Sequence, residues 1–332
     1  MYPLDINIIK SLNNKRIINF FKVVFSYYIH SFFEKSNIKG LPPFISIEPT
    51  NVCNLNCLQC PSGKGNLKRE KGEMKFSLFQ EIIDSVKDHL IYLLLYFQGE
   101  SFLNENIFRM IKYARENSVY VIINTNGHYI KTERDAENII ESGLNSITFS
   151  VDGATEETYK IYRSGGDFNA VINGIKRLTT AKRKLKSKTP GVNLQFIVMK
   201  HNQNEISQIK KLAESLKIDR LFLKSAQIYD ENDFDDLLPS SNKYRRYDKL
   251  NGKLILKKKM KNRCKRLLLT SVITWDGKVL PCCFDKDADF SFGKIVGENC
   301  FKNIWLSEKA AEFRKKVFTK RKSISICRNC IE

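Results

Sequence analysis

Short apolar runs alternate with amphipathic stretches from residue 44 to about residue 225. The runs are rich in β-branched and aromatic residues, and they predict strands at 44–48, 91–97, 119–124, 146–151, 192–199 and 220–224. Between them, apolar residues recur at helical spacing, as at Val171, Ile175 and Leu178. Six strand–helix units in series predict a parallel sheet with right-handed crossovers. The expected fold class is therefore α/β, a partial (β/α)6 barrel of the TIM type, whose working residues lie at the carboxyl ends of the strands.

Helices are predicted between these strands, with Ser77 as the N-cap of the first. The predicted ranges are 77–90, 106–117, 132–142, a helix from Thr155, 169–186 and 204–216.

Residues 17–33 are aromatic and aliphatic apart from a narrow polar stripe. The stripe recurs at helical spacing and consists of Lys15, Asn19, Lys22, Ser26 and His30. A stretch this short and this polar does not suit a bilayer-spanning helix. Two placements stay open: the helix packs against the main domain, or it lies in a membrane surface or a partner's groove.

The pattern changes near residue 229, where an acidic, turn-rich stretch gives way to a basic one. From Cys264 onward the chain consists of short strands, turns and cysteines. Residues 272–275 and 278–280 predict a β-hairpin with a two-residue turn at Asp276 and Gly277. We therefore expect four segments: an N-terminal amphipathic helical segment at 1–43, the partial barrel at 44–228, a linker at 229–261 and a small cysteine-rich α+β auxiliary domain at 262–332.

The composition is that of a globular protein with a large positive charge. Of 332 residues, 42% are hydrophobic and 28% charged, which excludes a disordered tail or a fibrous repeat. The net charge of +20, concentrated in runs at 182–188 and 257–265, attracts anionic substrates or a phospholipid surface. No nucleic-acid-binding motif accompanies it, which speaks against nucleic acid. No secretory signal is visible, so we expect a cytoplasmic protein, with peripheral membrane contact through the N-terminal helix left open.

Nine cysteines, an odd number at close spacings, indicate metal ligation rather than a disulfide framework. Cys53, Cys57 and Cys60 form a C-x3-C-x2-C pattern in the loop after the first strand. Zinc prefers four ligands, and neither a histidine nor a fourth cysteine lies nearby in the sequence. A [4Fe–4S] cluster with three cysteine ligands leaves one iron open to another ligand, which is what a reactive site requires.

Further motifs stand at the ends of the next strands, in a fixed order. They are Phe97-Gln-Gly99-Glu100-Ser, Thr125-Asn-Gly127, Ser150-Val-Asp152-Gly and Tyr162-Arg163-x-Gly-Gly. Together with the cysteine triplet, this order resembles the radical S-adenosylmethionine (radical SAM) superfamily over residues 44–225. Gln98 stands where that family has the first glycine of its Gly-Gly-Glu motif, a mild departure that leaves Gly99 and Glu100 in place.

The resemblance implies a cofactor chemistry. Cys53, Cys57 and Cys60 would hold a [4Fe–4S] cluster whose open iron binds the amino and carboxylate groups of S-adenosylmethionine (SAM). An electron donor such as flavodoxin or ferredoxin then allows release of a 5′-deoxyadenosyl radical, which abstracts a hydrogen atom from an unactivated C–H bond. The residues implied near SAM are Gly99 and Glu100 at the methionine amine, Ser150 and Asp152 at the ribose and carboxylate, and Arg163 at the carboxylate. Without the cysteines, strand-end capping alone would explain Glu100 and Asp152.

A second set of cysteines lies in the C-terminal domain. Cys264, Cys282, Cys327 and Cys330 supply four thiolates, enough for zinc or for a complete [4Fe–4S] cluster. Their pattern, with Gly277 in G-x4-C and a final C-x2-C, resembles the SPASM/twitch auxiliary-cluster domain. That resemblance implies one auxiliary [4Fe–4S] cluster, since a two-cluster domain carries more cysteines after the C-x2-C pair.

Cys283 and Cys300 are left over. Cys300 is expected to be an ordinary small side chain. Cys283 is a candidate catalytic residue, because the position after the G-x4-C cysteine can face the substrate in relatives. Asp285, two residues on, is a candidate base.

Three functions stay open. The first, favoured by the single auxiliary cluster, is oxidation of a sugar or another small polar substrate, a membrane-linked glycan included. A base would take the proton, and the auxiliary cluster the second electron. The second is maturation of a ribosomally made peptide or protein, although 43 residues before the first strand are few for a peptide-binding domain. The third is a structural zinc protein that binds nucleic acid, which leaves the strand-end motifs unexplained.

Overall fold

The computed structural model describes residues 6–33, 38–229, 234–251 and 253–331. The strands are β1 (Phe44–Ile47), β2 (Tyr92–Leu94), β3 (Tyr120–Thr125), β4 (Ser146–Ser150), β5 (Gly191–Val198), β6 (Arg220–Ser225), β7 (Tyr247–Leu250), β8 (Lys253–Leu256), β9 (Thr270–Ile273), β10 (Lys278–Leu280) and β11 (Gly293–Lys294). The helices are α1 (Ile6–Ile9), α2 (Asn14–Phe33), α3 (Phe76–Val86), α4 (Ile107–Glu116), α5 (Glu133–Glu141), α6 (Glu156–Tyr162), α7 (Phe168–Lys184), α8 (Ile206–Ser215), α9 (Phe234–Leu237), α10 (Arg266–Leu269), α11 (Phe301–Trp305) and α12 (Glu308–Lys320). Residues 1–5 and 34–37 of the predicted N-terminal segment, and 230–233 and 252 of the predicted linker, lie outside the described ranges.

The six predicted barrel strands are present as β1 to β6, each within a few residues of its predicted bounds. Apolar runs predicted β1 to β5 well because these strands are largely buried; β6, although also predicted, has no buried residue. Every residue of β1 and of β4 is buried, as expected for parallel strands covered on both faces.

The helix starts are partly as predicted. Thr132 and Thr155 are the N-caps of α5 and α6, each in a capping box. The prediction for Ser77 is wrong: α3 begins at Phe76, and the preceding Lys75 makes no side-chain cap hydrogen bond. The position of α3 is set instead by the apolar face that it buries, which consists of Phe79, Ile82, Ile83 and Val86.

The chain divides into two compact units that interleave along the sequence. The first unit comprises Met1–Asn51, Leu67–Ile122 and Lys259–Glu332, and the second comprises Val52–Asn66 and Ile123–Lys258. The cysteine triplet belongs to the second unit, and the C-terminal cysteines belong to the first. The domain boundaries predicted at residues 43, 228 and 261 stay predictions.

In the first unit, β1 lies between β2 and β9. It pairs in parallel with both, in the registers Phe44↔Tyr92 and Phe44↔Thr270, and β2 pairs in parallel with β3. On the other side, β9 pairs antiparallel with β10, and β10 with β11. The C-terminal hairpin therefore extends the parallel sheet beside β1, which the sequence pattern did not predict.

The hairpin turn is longer than predicted. The Thr274 N–H donates to Lys278 O at 3.0 Å, so the turn has three residues, Trp275 to Gly277, instead of two. Gly277 has φ +88°, the left-handed conformation that ends a three-residue hairpin loop. Gly277 correctly indicated a turn, but it is the third residue of a three-residue turn and not the second residue of a two-residue turn.

In the second unit, β4, β5 and β6 form a parallel sheet, with the registers Ser146↔Gly191 and Asn193↔Arg220. β7 and β8 form a separate antiparallel ribbon. The carboxyl end of β4 leads into Asp152, which belongs to the candidate site described below.

The N-terminal helix α2 is bound to the first unit by a buried arginine. The Arg16 guanidinium donates to four carbonyl oxygens, those of Ser11, Lys87, Asn117 and Ser118. This one side chain on α2 therefore supplies hydrogen-bond donors to loop carbonyls after α3 and after α4.

The polar stripe of α2 continues this attachment. Asn19 and Ser26 each exchange two hydrogen bonds with backbone, Asn19 with Leu41 and Ser26 with Lys39. The His30 ring is also buried. Helix α2 thus packs against the first unit with part of its polar side. Over the described residues, a helix combining the length and the apolar character needed to cross a bilayer is not found.

His89, just after α3, is a buried histidine with a destabilised charged form. It is 6% exposed, and its ring stacks on Phe301. Burial lowers the pKa of His89 from its ordinary 6.5 to about 4. In the unfolded chain the same ring takes up its proton near pH 6.5, so the unfolded state binds more protons between those two values.

We expect the free energy of unfolding to fall as the pH drops from about 6.5 to about 4, with His89 contributing about 3 kcal/mol of that loss. The variant His89→Gln has no ring to titrate, so the difference in unfolding free energy between the wild type and the variant should shrink as the pH falls. Urea unfolding of both proteins at pH 8 and at pH 5 should show about 2 kcal/mol of this change, because pH 5 still lies above the folded pKa of the ring. A gap that does not depend on pH would show that the ring is protonated equally in both states.

Candidate functional site

The cysteine triplet lies in a loop of the second unit, between residues 53 and 60. The loop is held by the last residue of α6 and the chain just after it: the Asn56 N–H donates to Ser164 O at 2.9 Å, and the Leu58 N–H donates to Tyr162 O at 3.2 Å. Inside the loop, the Cys60 N–H donates to Cys57 O. Two predicted motifs that are about a hundred residues apart in sequence are therefore one hydrogen-bonded structure.

Arg163 connects that loop to the end of β4. Its Nη1 is 3.7 Å from the Cys57 sulfur, and its Nε and Nη2 contact Asp152 Oδ2 at 2.7 and 2.5 Å. The other oxygen of Asp152 accepts the Ile197 N–H at 2.7 Å. The Asp152 carboxylate is fully buried and the Arg163 side chain nearly so. Because Asp152 has both oxygens engaged by the protein, it acts here as the fixed counter-ion of Arg163.

Charge and burial act in opposite directions on the thiols. Burial raises the pKa of Cys57, the Arg163 guanidinium works against that rise, and the neighbouring Cys60 adds to it. For Arg163, burial acts to lower the pKa, but the charges of Asp152 and Cys57 outweigh it, so the pKa lies well above its ordinary value. Arg163 is thus a permanent cation beside the thiols.

Asn126 is a site residue that we did not select from the sequence. Its amide nitrogen donates to Asn54 Oδ1 at 2.7 Å and lies 4.0 Å from the Cys53 sulfur. Gly127, directly after it, has φ +87°, a left-handed conformation that favours glycine. The Thr-Asn-Gly motif at the end of β3 indicated a site residue, but the motif alone does not show which of its three residues lies near the cysteines.

The other predicted SAM-binding residues have visible local roles. Gly99 has φ +75°, a conformation that favours glycine. Glu100 is buried, and its side chain accepts the Phe102 N–H at the start of the 3₁₀ turn Ser101–Leu103. Ser150 is the buried last residue of β4. The part that each would play toward SAM stays a prediction, and the capping alternative is realised at Glu100.

The four C-terminal thiols border a single cavity in the first unit. Its lining includes Cys264, Cys282, Cys327 and Cys330, and also Arg266 and Arg321. None of the nine cysteines, all of which lie within the described ranges, forms a disulfide. In the described part of the chain, no three His, Cys, Asp or Glu side chains converge as the ligands of a single ion would. The sulfurs surround a space, a donor set that fits a multi-atom iron–sulfur cluster better than one zinc ion with sulfurs about 2.3 Å away.

Arg321 holds the shape of this cavity. It donates from Nη1 to the carbonyl oxygens of Lys261 and Arg263, and from Nη2 to the Cys330 sulfur at 3.4 Å. Burial raises the pKa of Cys327, whereas Arg321 lowers it. As in the first thiol set, an arginine lies against a cysteine sulfur. Arg163 was selected from the sequence as a site residue, whereas Arg321 was not.

Cys283, Cys300 and Asp285 lie outside the cavity lining. The Cys283 sulfur accepts a hydrogen bond from Arg266 Nη1 at 3.2 Å, and Cys300 precedes α11 without capping it by its side chain. Asp285 is buried, which raises its pKa to about 6. One of its oxygens accepts the Phe290 N–H, and the other has no partner among the described residues.

Comparison with known proteins gives two family matches. The model of the radical SAM superfamily matches residues 47–216, just over half of the chain. The model of an iron–sulfur cluster-binding domain, SPASM, matches residues 264–331. The first range contains the cysteine triplet with Arg163, and the second contains the four cavity thiols with Arg321.

Curated relatives are similar at low identity. The tungsten-containing aldehyde ferredoxin oxidoreductase cofactor-modifying protein of Pyrococcus furiosus is 23% identical over 317 residues, 86% of this chain and 86% of that protein. The mycofactocin maturase MftC of Mycobacterium ulcerans is 28% identical over 184 residues, 54% of this chain and 47% of that protein, so the chain spans about half the length of that relative. MftC of Mycolicibacterium smegmatis is 25% identical over 314 residues, 87% of this chain and 75% of that protein.

Solved structures share the fold. SuiB of Streptococcus suis bound to the precursor peptide SuiA has a TM-score of 0.63 at 15% identity, covering 90% of this chain and 73% of that one. BtrN in complex with AdoMet and 2-DOIA has a TM-score of 0.54 at 19% identity, covering 89% and 95%. At these identities the likeness concerns the fold alone, and it confirms the predicted α/β partial barrel with a cysteine-rich C-terminal region.

We expect Arg163→Met to lower the free energy of unfolding by about 3 kcal/mol, because it leaves the Asp152 carboxylate buried without its cation. The matched control is Arg134→Met. Arg134 forms an exposed ion pair with Glu141, whose loss should cost about 0.5 kcal/mol or less. Urea unfolding of the anaerobic chain measures both, and equal losses would mean that the Asp152–Arg163 pair has no special structural role.

Proposed function

Since the chain belongs to the radical SAM superfamily, we propose that it is a maturase, which abstracts a hydrogen atom from a ribosomally made peptide or protein and so modifies it. The observation that carries the proposal is the extent of the match to MftC of M. smegmatis, which covers 87% of this chain. A match of that extent runs through the radical SAM domain and into the SPASM domain.

The chain is an enzyme, and its two domains define its cofactors: a [4Fe–4S] cluster with SAM for the first, and iron–sulfur for the second. When bound, the cluster and SAM supply a 5′-deoxyadenosyl radical able to take hydrogen from an unactivated C–H bond.

We assign the cluster ligands from the thiol positions. Cys53, Cys57 and Cys60 would hold the SAM-binding cluster. Arg163 would keep its loop in place and offset the negative charge of the thiolates, since it is oriented by Asp152. In the same way, the amide of Asn126 would fix the first cysteine of the loop through Asn54. An electron donor such as flavodoxin or ferredoxin remains part of the proposal.

The auxiliary site would be held by the four thiols that border the cavity. Arg321 would fix the relative positions of the Cys264 loop and the C-x2-C pair, because it contacts both. Since it also compensates thiolate charge, its loss should weaken cluster retention at this site more than at the first.

Oxidation of a sugar or another small polar substrate is the second candidate, and Asp285 favours it. Conversion of an alcohol to a carbonyl removes one hydrogen atom, one proton and one further electron. The proton needs a base, and Asp285 offers a buried carboxylate oxygen without a partner in the described chain. The relatives support the peptide proposal better, because several of them are named maturases.

Substrate-dependent 5′-deoxyadenosine formation tests the proposal. The reconstituted chain is incubated without oxygen with SAM and dithionite. Extract of the encoding organism is then added as a small-molecule filtrate or as a peptide fraction. We expect the peptide fraction alone to raise 5′-deoxyadenosine severalfold, and protease treatment of that fraction to abolish the rise.

Two variants serve as controls. Cys57→Ala should abolish 5′-deoxyadenosine formation, whereas Cys300→Ala, outside both thiol sets, should leave it unchanged. Stimulation by the small-molecule filtrate that survives protease would support the oxidation of a small polar substrate and contradict the peptide proposal.

A further inference from the structure

Helix α2 presents an exposed apolar face whose residues fall within one arc of the helix. We define the apolar face of α2 as Ile17, Ile18, Phe21, Phe25 and Tyr28. Phe21 and Phe25, the largest side chains at its centre, are 65% and 64% exposed. At 3.6 residues per turn these five positions lie within about 100° of one another.

Hydrogen bonds fix the orientation of α2. The helix buries some apolar residues, but the apolar face defined above stays exposed, whereas an ordinary surface helix buries its apolar residues. Here Arg16, Asn19 and Ser26 use their hydrogen bonds to attach to the first unit. Turning the helix over to hide Phe21 and Phe25 would break all of these bonds.

Exposed lysines lie beside the apolar face and elsewhere near α2. Lys22 lies directly beside it on the helix. The Lys265 ammonium is 5.9 Å from the centre of the Tyr28 ring. Lys39 is exposed and joined to α2 through the backbone bond of its N–H to Ser26.

A further basic run lies next to the buried side of the helix. Met260 packs against the cluster that contains Val23 and Tyr27 of α2. Its neighbours Lys259 and Lys261 are exposed. Lys15 is the exception among the helix lysines, because Asp88 neutralises it.

We propose that α2 lies flat on a membrane surface, with its apolar face in the headgroup region of anionic phospholipid. An aromatic and aliphatic face with cations along its borders is the pattern of an interfacial helix, and the lysines complement anionic headgroups. The net charge of +20 draws the whole chain toward such a surface. At 20 residues, α2 offers about 30 Å of helix to it. The proposal concerns where the enzyme works and is independent of its substrate.

Vesicle co-sedimentation of the reconstituted full-length chain tests it. Vesicles are made of phosphatidylcholine alone or of equal parts phosphatidylcholine and phosphatidylglycerol. We expect the chain to pellet with the mixed vesicles, to be released in part by high salt, and to pellet at least about tenfold less with phosphatidylcholine alone.

The double variant Phe21→Glu/Phe25→Glu should lose binding to the mixed vesicles. Its matched control is Leu185→Glu/Val296→Glu, which places the same charges on two other exposed apolar residues and should bind like the wild type. Thermal unfolding is followed for both, because side chains this exposed can be replaced without loss of fold.

Three results would overturn the proposal. The wild type could stay in the supernatant with both kinds of vesicle. The two double variants could bind equally, which would reduce the effect to net charge. Sedimentation velocity without lipid could show a dimer that only Phe21→Glu/Phe25→Glu dissociates, which would assign the face to a second copy of this chain.

Discussion

A buried sulfur anion needs a nearby donor or cation, and this requirement organises both thiol sites. Cys57 has Arg163 beside it, and Cys330 has Arg321. Each arginine is itself fixed, Arg163 by the Asp152 carboxylate and Arg321 by backbone carbonyls. An oriented cation of this kind stabilises thiolates without having to reorganise when a cluster is bound.

The same two arginines explain how segments that are distant in the sequence come together at each thiol site. Arg163 lies about a hundred residues after Cys57, yet backbone carbonyls on either side of it accept hydrogen bonds from the cysteine loop. Arg321 spans from the Cys264 segment to the C-x2-C pair. The sulfurs lie in loops or in short elements next to them, so these long-range contacts help to determine their positions.

The sequence predicted those features that depend on local pattern. The six barrel strands follow from short apolar runs, although β6 has no buried residue. The grouping of the four C-terminal thiols followed from their spacing together with a family resemblance. The sequence-based prediction failed where longer-range contacts determine the structure. Helix α3 does not start from Ser77, because its position is set by the face that it buries. Strand β9 pairs with β1, and no local sequence pattern predicts that pairing.

Side-chain roles were the hardest to predict. Asp152 was expected at the cofactor, and that role stays a prediction; within the chain, its two oxygens bond to Arg163 and to the backbone of Ile197. Asn126 and Arg321 were not selected, since an asparagine after a strand and an arginine after a helix are common in any protein. The polar stripe of α2 was recognised, but a stripe alone does not tell which side of a helix faces inward.

Iron and acid-labile sulfide analysis of the anaerobically reconstituted chain tests most directly whether the two thiol sets hold two clusters. We expect about eight iron atoms per chain, falling to about four in Cys53→Ala/Cys57→Ala/Cys60→Ala and staying at about eight in Cys300→Ala. About four irons in the wild type, falling to none in the triple variant while zinc is retained, would contradict this account. The C-terminal thiols would then be a structural metal site.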